Sequence, residues 1–366
     1  MARRGWGRSL FLAALAAAGT AAAQLGLGYG LGIIVWAPDQ AGSADAAWAA
    51  GLAWTVWTAA TSVVVGAVIG DRVAGNVHSG RVVRFVARVT TGIAAALGGL
   101  VTIPLVAVPT QDVRIVDTFA PNLLAGIYSA AGVVIGLIVS LPAMTSRAVA
   151  ANVFATTGFV WLLAVVAVSD GGTRGEVTQL GIWKFTNQGP VWHGYYVPGA
   201  LLLLGGALML GGLAAFPAAG RGEGRWGVTV SGVTGPILVA LAYTLAAPRP
   251  GQATVEQLSA FHTSPYMIVA GLAGSALVGA VGAGPARRTP KPAKAPTEVP
   301  SPQSPPPPPA ARVPKPPPAV PAPSTFPTPD AGRRSGPLPA ASASAVTAKA
   351  SVPPESRINP EDWRPA

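Results

Sequence analysis

The residues of this chain best equipped for chemistry stand together at Trp192-His193-Gly194-Tyr195-Tyr196, with Trp183 just upstream. An imidazole can move a proton near neutral pH, and Asp170 and Glu176 in the same polar gap could orient it. Catalysis also needs a nucleophile or substrate-holding group at a fixed spacing, and none is identifiable. The chain contains no HExxH, GxSxG, P-loop or paired-carboxylate pattern. It has no Cys, which removes disulfides, thiolate nucleophiles, Cys-ligated zinc and iron-sulfur clusters. His78, His193 and His262 fall in separate gaps on opposite expected sides, which argues against a three-His metal site. No catalytic residue, metal site or cofactor is expected. Indole and phenol rings beside a long apolar run favour the lipid headgroup level, so Trp192, Tyr195 and Tyr196 are expected first as interface anchors. Trp183, Trp192, His193, Tyr195 and Tyr196 together form the candidate contact for an outer-face ligand or partner.

Two further patterns carry weaker chemical signals. Thr55, Thr58, Ser62, Gly66 and Gly70 recur in steps of three or four and share one helical face. Gly66 with Gly70, like Gly132 with Gly136, is a small-xxx-small pair that lets helix backbones approach closely; the stripe is therefore a packing seam or the wall of a hydroxyl-lined pathway. Gln24 is the most polar residue inside an apolar run and is expected to make an interhelical hydrogen bond, with Thr20 on the same face. Arg81, Arg84 and Arg88 share a face where the third run begins, placing them to contact anionic lipid. Pro104 and Pro236 are expected to kink their helices, and Pro109 to end the third run.

The elements that position these residues follow from the hydropathy. Half of the residues are hydrophobic and 11% are charged, against about 25% charged in ordinary soluble domains. The charges fall in short gaps that leave runs of roughly 20 residues, enough for a helix to cross a ~30 Å hydrocarbon core. Eight runs are expected to span, at about 9–36, 47–70, 86–108, 119–143, 148–169, 197–216, 227–247 and 266–284. The fold class is thus an all-α integral membrane bundle of about eight transmembrane helices. Of the 25 Lys and Arg, 21 fall in alternate gaps and the two ends of the chain, leaving Arg114, Arg174, Lys184 and Arg249 on the other side. The positive-inside rule then makes the N-terminus and the C-terminal tail cytoplasmic, in a multi-pass protein of the cell membrane.

Most aromatic residues, including Tyr29, Trp36, Trp48, Tyr243 and Tyr266, fall toward the outer side, with Trp6 and Trp226 at the inner one. That asymmetry would follow if the outer gap 170–196 folded back onto the bundle as a lid or re-entrant strip. Alternation across Leu180 to Phe185 hints at a hairpin within it. The first run has the basic head and Ala-rich ending of a signal peptide, but it continues apolar to Trp36 and is expected to be an uncleaved anchor.

Residues 285–366 hold 25 of the 37 Pro, so this segment is expected to be a disordered, polyproline-like cytoplasmic tail. It carries PxxP spacing in RVPKPPPAVP and a terminal NPEDWRPA. The Pro-rich tail or Trp363 is the candidate contact for a cytoplasmic protein partner, the bilayer being the other partner; no nucleic acid is expected.

The stretches PVWHGYYVPGALLLLGGALMLGG and TAATSVVVGAVIGDR, with the Pro-rich tail, resemble multi-spanning membrane proteins of the high-GC actinobacterial type, a group with no assigned activity. The resemblance implies a membrane location and a helical bundle. With no ionisable residue at mid-membrane depth, the functional expectation is a non-enzymatic accessory or scaffold component of the cytoplasmic membrane. The alternative is a carrier or channel for a neutral or lipidic solute.

Overall fold

The computed structural model describes residues 3–36, 44–75, 80–115, 120–170, 177–183, 190–193, 195–221, 225–249, 251 and 253–281. The expectations for the tail 285–366, Trp363, His78, Glu176 and Phe185 lie outside these residues. The described residues all belong to the unit Met1–Ala293.

Among the described residues, ten α-helices and one short hairpin follow in order: α1 Arg3–Gly30, α2 Ala44–Ala74, α3 Arg81–Gly99, α4 Thr102–Ala107, α5 Pro121–Thr145, α6 Arg147–Ser169, β1 Val191–Trp192, β2 Tyr195–Tyr196, α7 Val197–Gly220, α8 Arg225–Val230, α9 Thr234–Leu245 and α10 Val255–Val281. Taking α3 with α4, and α8 with α9, gives eight helices long and apolar enough to cross a membrane. Their starts carry recognisable signals. Pro121 opens α5 where no intrahelical N–H is needed, Ser146 Oγ accepts the Val149 amide at the head of α6, and Thr254 Oγ1 accepts the Gln257 amide at the head of α10.

Helix α2 is the axis of the bundle. Of its 31 residues 22 are buried, because α1, α3 and α5 pack around it while α6 and α9 close the remaining side. The other layer is built on α7 and α10 lying along each other, with α6 and α9 joining it to α2. Small residues set how closely these helices meet. A Cβ on Gly66 would stand 2.5 Å from the Ala13 carbonyl oxygen of α1, and one on Gly136 would stand 2.5 Å from the Ala60 carbonyl oxygen of α2. Any larger residue there must push two backbones apart. The outward flanks are apolar instead of charged: Phe11, Leu97, Ile138, Leu201, Phe216 and Val269 all face away from the protein.

Several boundaries differ from the hydropathy reading. The first helix stops at Gly30 although the sequence stays apolar to Trp36. Gly32 takes a positive φ of 68°, and the amides of Ile33 and Ile34 both donate back to the Gly28 carbonyl, at 2.8 and 3.0 Å. Ile33, Ile34 and Trp36 then fold onto the bundle and are buried. The third run breaks at Leu100–Val101, where the Leu100 carbonyl, which Pro104 cannot serve, accepts the Ile103 amide at 3.0 Å instead. Pro109 falls just past α4, as expected. The last helix starts at Val255, well before the expected 266, and runs through Pro265. Ser264 Oγ donates to the Phe261 carbonyl that Pro265 leaves without its amide partner, at 2.9 Å.

Candidate functional site

The bundle has two distinct ends and a polar seam between them. At one end, β1 and β2 pair antiparallel, Val191 opposite Tyr196 and Trp192 opposite Tyr195, and the Val197 amide closes onto the Pro190 carbonyl at 3.1 Å. The hairpin therefore forms at 191–196. The alternation at Leu180 does not produce a strand among the described residues. Trp192 is 67% exposed and its ring meets His193 edge-on at 4.3 Å, while His193 turns the chain with a positive φ of 50°. Tyr196 points the other way. It is 2% exposed, packs over Gly199, and its carbonyl accepts Ser259 Oγ at 3.5 Å. Tyr195 lies between these extremes, its ring 5.8 Å from that of His262 on α10. The WHGYY run thus splits between a solvent-facing tip, Trp192 with His193, and a buried root, Tyr196.

Trp183 is half-buried at the end of a strip that enters the bundle. Thr178, Gln179, Leu180 and Ile182 are buried, held by Trp54 Nε1 donating to the Thr178 carbonyl at 3.1 Å and by the Tyr243 hydroxyl donating to the Leu180 carbonyl at 2.6 Å. Several of the aromatic residues expected at the interface of this end, Trp36, Trp48, Tyr196 and Tyr243, are core. Trp36 and Trp48 are buried with ring centroids 5.3 Å apart, Trp36 Nε1 donates to the Tyr29 hydroxyl and Tyr29 to the Leu105 carbonyl; Tyr266, by contrast, is 62% exposed. For Trp36, Tyr29 and Tyr243 the polar atoms find backbone or hydroxyl partners inside the protein, so burial costs little.

The seam runs along α2. Thr55, Thr58 and Ser62 are fully buried, and each hydroxyl donates to a carbonyl of its own helix: Gly51 at 2.9 Å, Thr55 at 3.2 Å and Thr58 at 2.6 Å. Gly66 and Gly70 continue the face as the seat of α1, meeting Ala13 and Ala17. Gln24 of α1 reaches into this seam. Its amide nitrogen donates to Ser62 Oγ at 2.9 Å and Thr61 Oγ1 at 3.2 Å, and its carbonyl accepts Trp161 Nε1 of α6 at 2.9 Å. One amide thereby ties three helices, and the Trp161 ring meets that of Trp54 at a tilt of 45°, centroids 5.0 Å apart. Thr20 takes no part in it. Nearby in the chain, the α9 amide of Gly235 donates to Asn152 Oδ1 of α6 at 2.7 Å, capping the helix that restarts after the 3₁₀ turn Ser231–Val233. Asn152 Nδ2, Thr156 Oγ1 and Trp57 Nε1 are buried without a partner among the described residues.

At the opposite end from the hairpin, arginines converge. Arg81, Arg84 and Arg88 stand on the first turns of α3; Arg88 Nε lies 3.4 Å from Asp71 Oδ1 on the last turn of α2. A cavity of about 290 Å³ opens there, lined by Arg72, Arg84, Arg88 and Arg147 with Asp71 and Trp6. Arg81 stands outside it and borders an adjoining groove of about 360 Å³. The sequence marked the three α3 arginines as one face but missed that Arg72 and Arg147 join them. The usable signal was the alternation of basic gaps, which must bring the α2–α3 and α5–α6 connections to the same end. Partners far apart in the chain, such as Gln24 with Trp161, left no comparable signal.

Set against protein-family models, curated proteins and solved structures, the chain matches none. No group of three or more His, Asp or Glu placed to hold a metal ion occurs among the described residues.

Proposed function

We propose that this chain is a multi-pass protein of the cytoplasmic membrane, with both termini in the cytoplasm, acting as a non-enzymatic accessory or scaffold component whose Pro-rich tail recruits cytoplasmic partners. The membrane assignment is supported by eight helices of spanning length whose outward flanks are apolar. The observation that carries the scaffold reading is the closure of the polar seam. Thr55, Thr58 and Ser62 spend their hydroxyl protons on their own backbone and are fully buried, and the glycines of the same face seat a neighbouring helix. A seam spent on packing is a rigid platform. The test is crosslinking followed by pull-down from cells carrying the full chain or a chain lacking residues 285–366. Loss of cytoplasmic proteins from the truncated pull-down is expected; an unchanged set would overturn the proposal.

A second reading, a carrier for a neutral or lipidic solute, draws on the discontinuous helix α8–α9. Its restart at Thr234 is capped by Asn152, and Asn152 Nδ2 and Thr156 Oγ1 are buried beside it without a partner among the described residues. Broken helices with buried polar groups line substrate sites in many carriers. Reconstituted vesicles that show neither solute flux nor lipid exchange across a broad panel would remove this reading.

A further inference from the structure

We propose that the arginine end of the bundle binds a phosphate-bearing anion, in the form of an anionic phospholipid headgroup, in the cavity between the end of α2 and the starts of α3 and α6. The inference rests on the membrane reading given above.

Charge is the first argument. Arg72, Arg84, Arg88 and Arg147 line the cavity, and Asp71, already engaged with Arg88, is the single carboxylate among its described lining residues. Three guanidinium charges thus line one open cavity without a protein counter-charge among the described residues. Guanidinium groups match phosphate oxygens with paired N–H donors, so the arrangement suits that class of anion.

Position is the second. The partial positive charge of a helix N-terminus disfavours cations in its first turn. Here Arg81 and Arg84 occupy the first turn of α3, whose start has no side-chain cap, and Arg147 is the first residue of α6. Both helix starts break the local rule in the same place, and a bound anion reconciles both, since it is attracted by the arginines and by the helix ends alike.

Shape is the third, and it selects lipid over free phosphate. The cavity shares Arg84, Arg88 and Thr145 with the adjoining groove, whose remaining wall is Phe85, Leu141 and Pro142 together with Arg81. Phe85 is exposed on the apolar flank of the bundle. A polar chamber of about 290 Å³ that continues into a groove of about 360 Å³, walled by Phe85, Leu141 and Pro142 on one side and by arginines on the other, fits a headgroup followed by the start of an acyl chain.

The test uses the full chain purified in a neutral detergent, reading the thermal unfolding midpoint against added short-chain phosphatidylglycerol, phosphatidylcholine of the same chain length, and inorganic phosphate. Phosphatidylglycerol should raise the midpoint saturably and phosphatidylcholine should not. Substituting Arg84→Gln and Arg147→Gln together should raise the half-saturating concentration about tenfold or more, as expected when two charge-assisted contacts are lost. The Arg84→Lys, Arg147→Lys pair should fall between, and Arg114→Gln at the other end should leave binding unchanged. Equal responses to the two lipids, or a phosphatidylglycerol response indifferent to the Gln pair, would overturn the site; the lipid comparison stands on the wild-type chain alone if the variants do not fold. Half-saturation by inorganic phosphate at the same concentration as phosphatidylglycerol would overturn the lipid assignment in favour of a soluble phosphate compound. Release of the chain from cells without detergent would instead overturn the membrane reading, which the binding curves leave untouched.

Discussion

Gln24 shows how one polar side chain organises the interior. Its two amide atoms are both used, accepting from Trp161 and donating to Ser62 and Thr61. Gln24→Leu keeps the volume but leaves the Trp161 indole N–H buried without an acceptor, which should destabilise the bundle by about 1–2 kcal/mol. Trp161→Phe removes the donor and loses ring area against Trp54. The double variant should therefore be more stable than the sum of the two single losses by ~0.6–2 kcal/mol, a coupling that unfolding in detergent can read. Strict additivity would show that the hydrogen bond contributes nothing. The sequence made Gln24 conspicuous, since it stands alone in an apolar run. It gave no means of finding Trp161, because the partner of a buried amide is set by how α1 and α6 cross, which depends on the whole packing. His193 is the converse case. As a titratable side chain among aromatics it drew attention as chemistry, yet the structure places it at an exposed turn with φ 50°, a conformation that Gly adopts more readily. His193→Gly should accordingly leave the thermal midpoint unchanged or raise it by the equivalent of up to about 1 kcal/mol. A fall would mean that the ring makes contacts beyond Trp192.

At the scale of elements, hydropathy anticipated eight apolar helices of spanning length, the number among the described residues, but not their breaks. Composition averages over a run and cannot register that Ile33 to Trp36 turn back onto α1, nor that polar residues from Val255 onward continue a helix because Ser264 repairs the carbonyl freed by Pro265. Glycine spacing, by contrast, was a legible signal. Gly136 seats α5 against the α2 backbone, so Gly136→Val should cost about 1–3 kcal/mol or more, the range for overpacking. Gly158 of α6 provides the control, because an added Cβ there meets nothing within 4 Å. Gly158→Ala should stabilise by about 0.5–1 kcal/mol through helix propensity alone. Thermal midpoints of the two variants should move in opposite directions; a midpoint for Gly136→Val that does not fall would show that helix crossing there does not limit stability. The candidate surfaces divide along the same line. The arginine face of α3 was visible as a spacing pattern, whereas its union with Arg72 and Arg147 required the helices to be placed.

For the whole molecule the governing feature is the separation of charge between its ends. Arg72, Arg84, Arg88 and Arg147 gather at one end, while the hairpin with Trp192 and the Arg249–Asp45 pair, 3.6 Å apart, stand at the other. The proposed orientation follows from these arginines, because the positive-inside rule would retain the end that carries them in the cytoplasm. The absence of Cys makes this directly testable, because any introduced thiol is unique. Trp192→Cys places a thiol on the exposed tip of the hairpin. Gly220→Cys places one at the far end of α7, where an added side chain meets nothing within 4 Å. On intact cells a membrane-impermeant maleimide should label position 192 and spare position 220, and permeabilisation should expose both. Labelling of 220 alone would invert the orientation and move the proposed lipid site to the outer leaflet. Labelling of both in intact cells would mean that α7 does not separate two compartments, and the membrane-spanning architecture would fall with it.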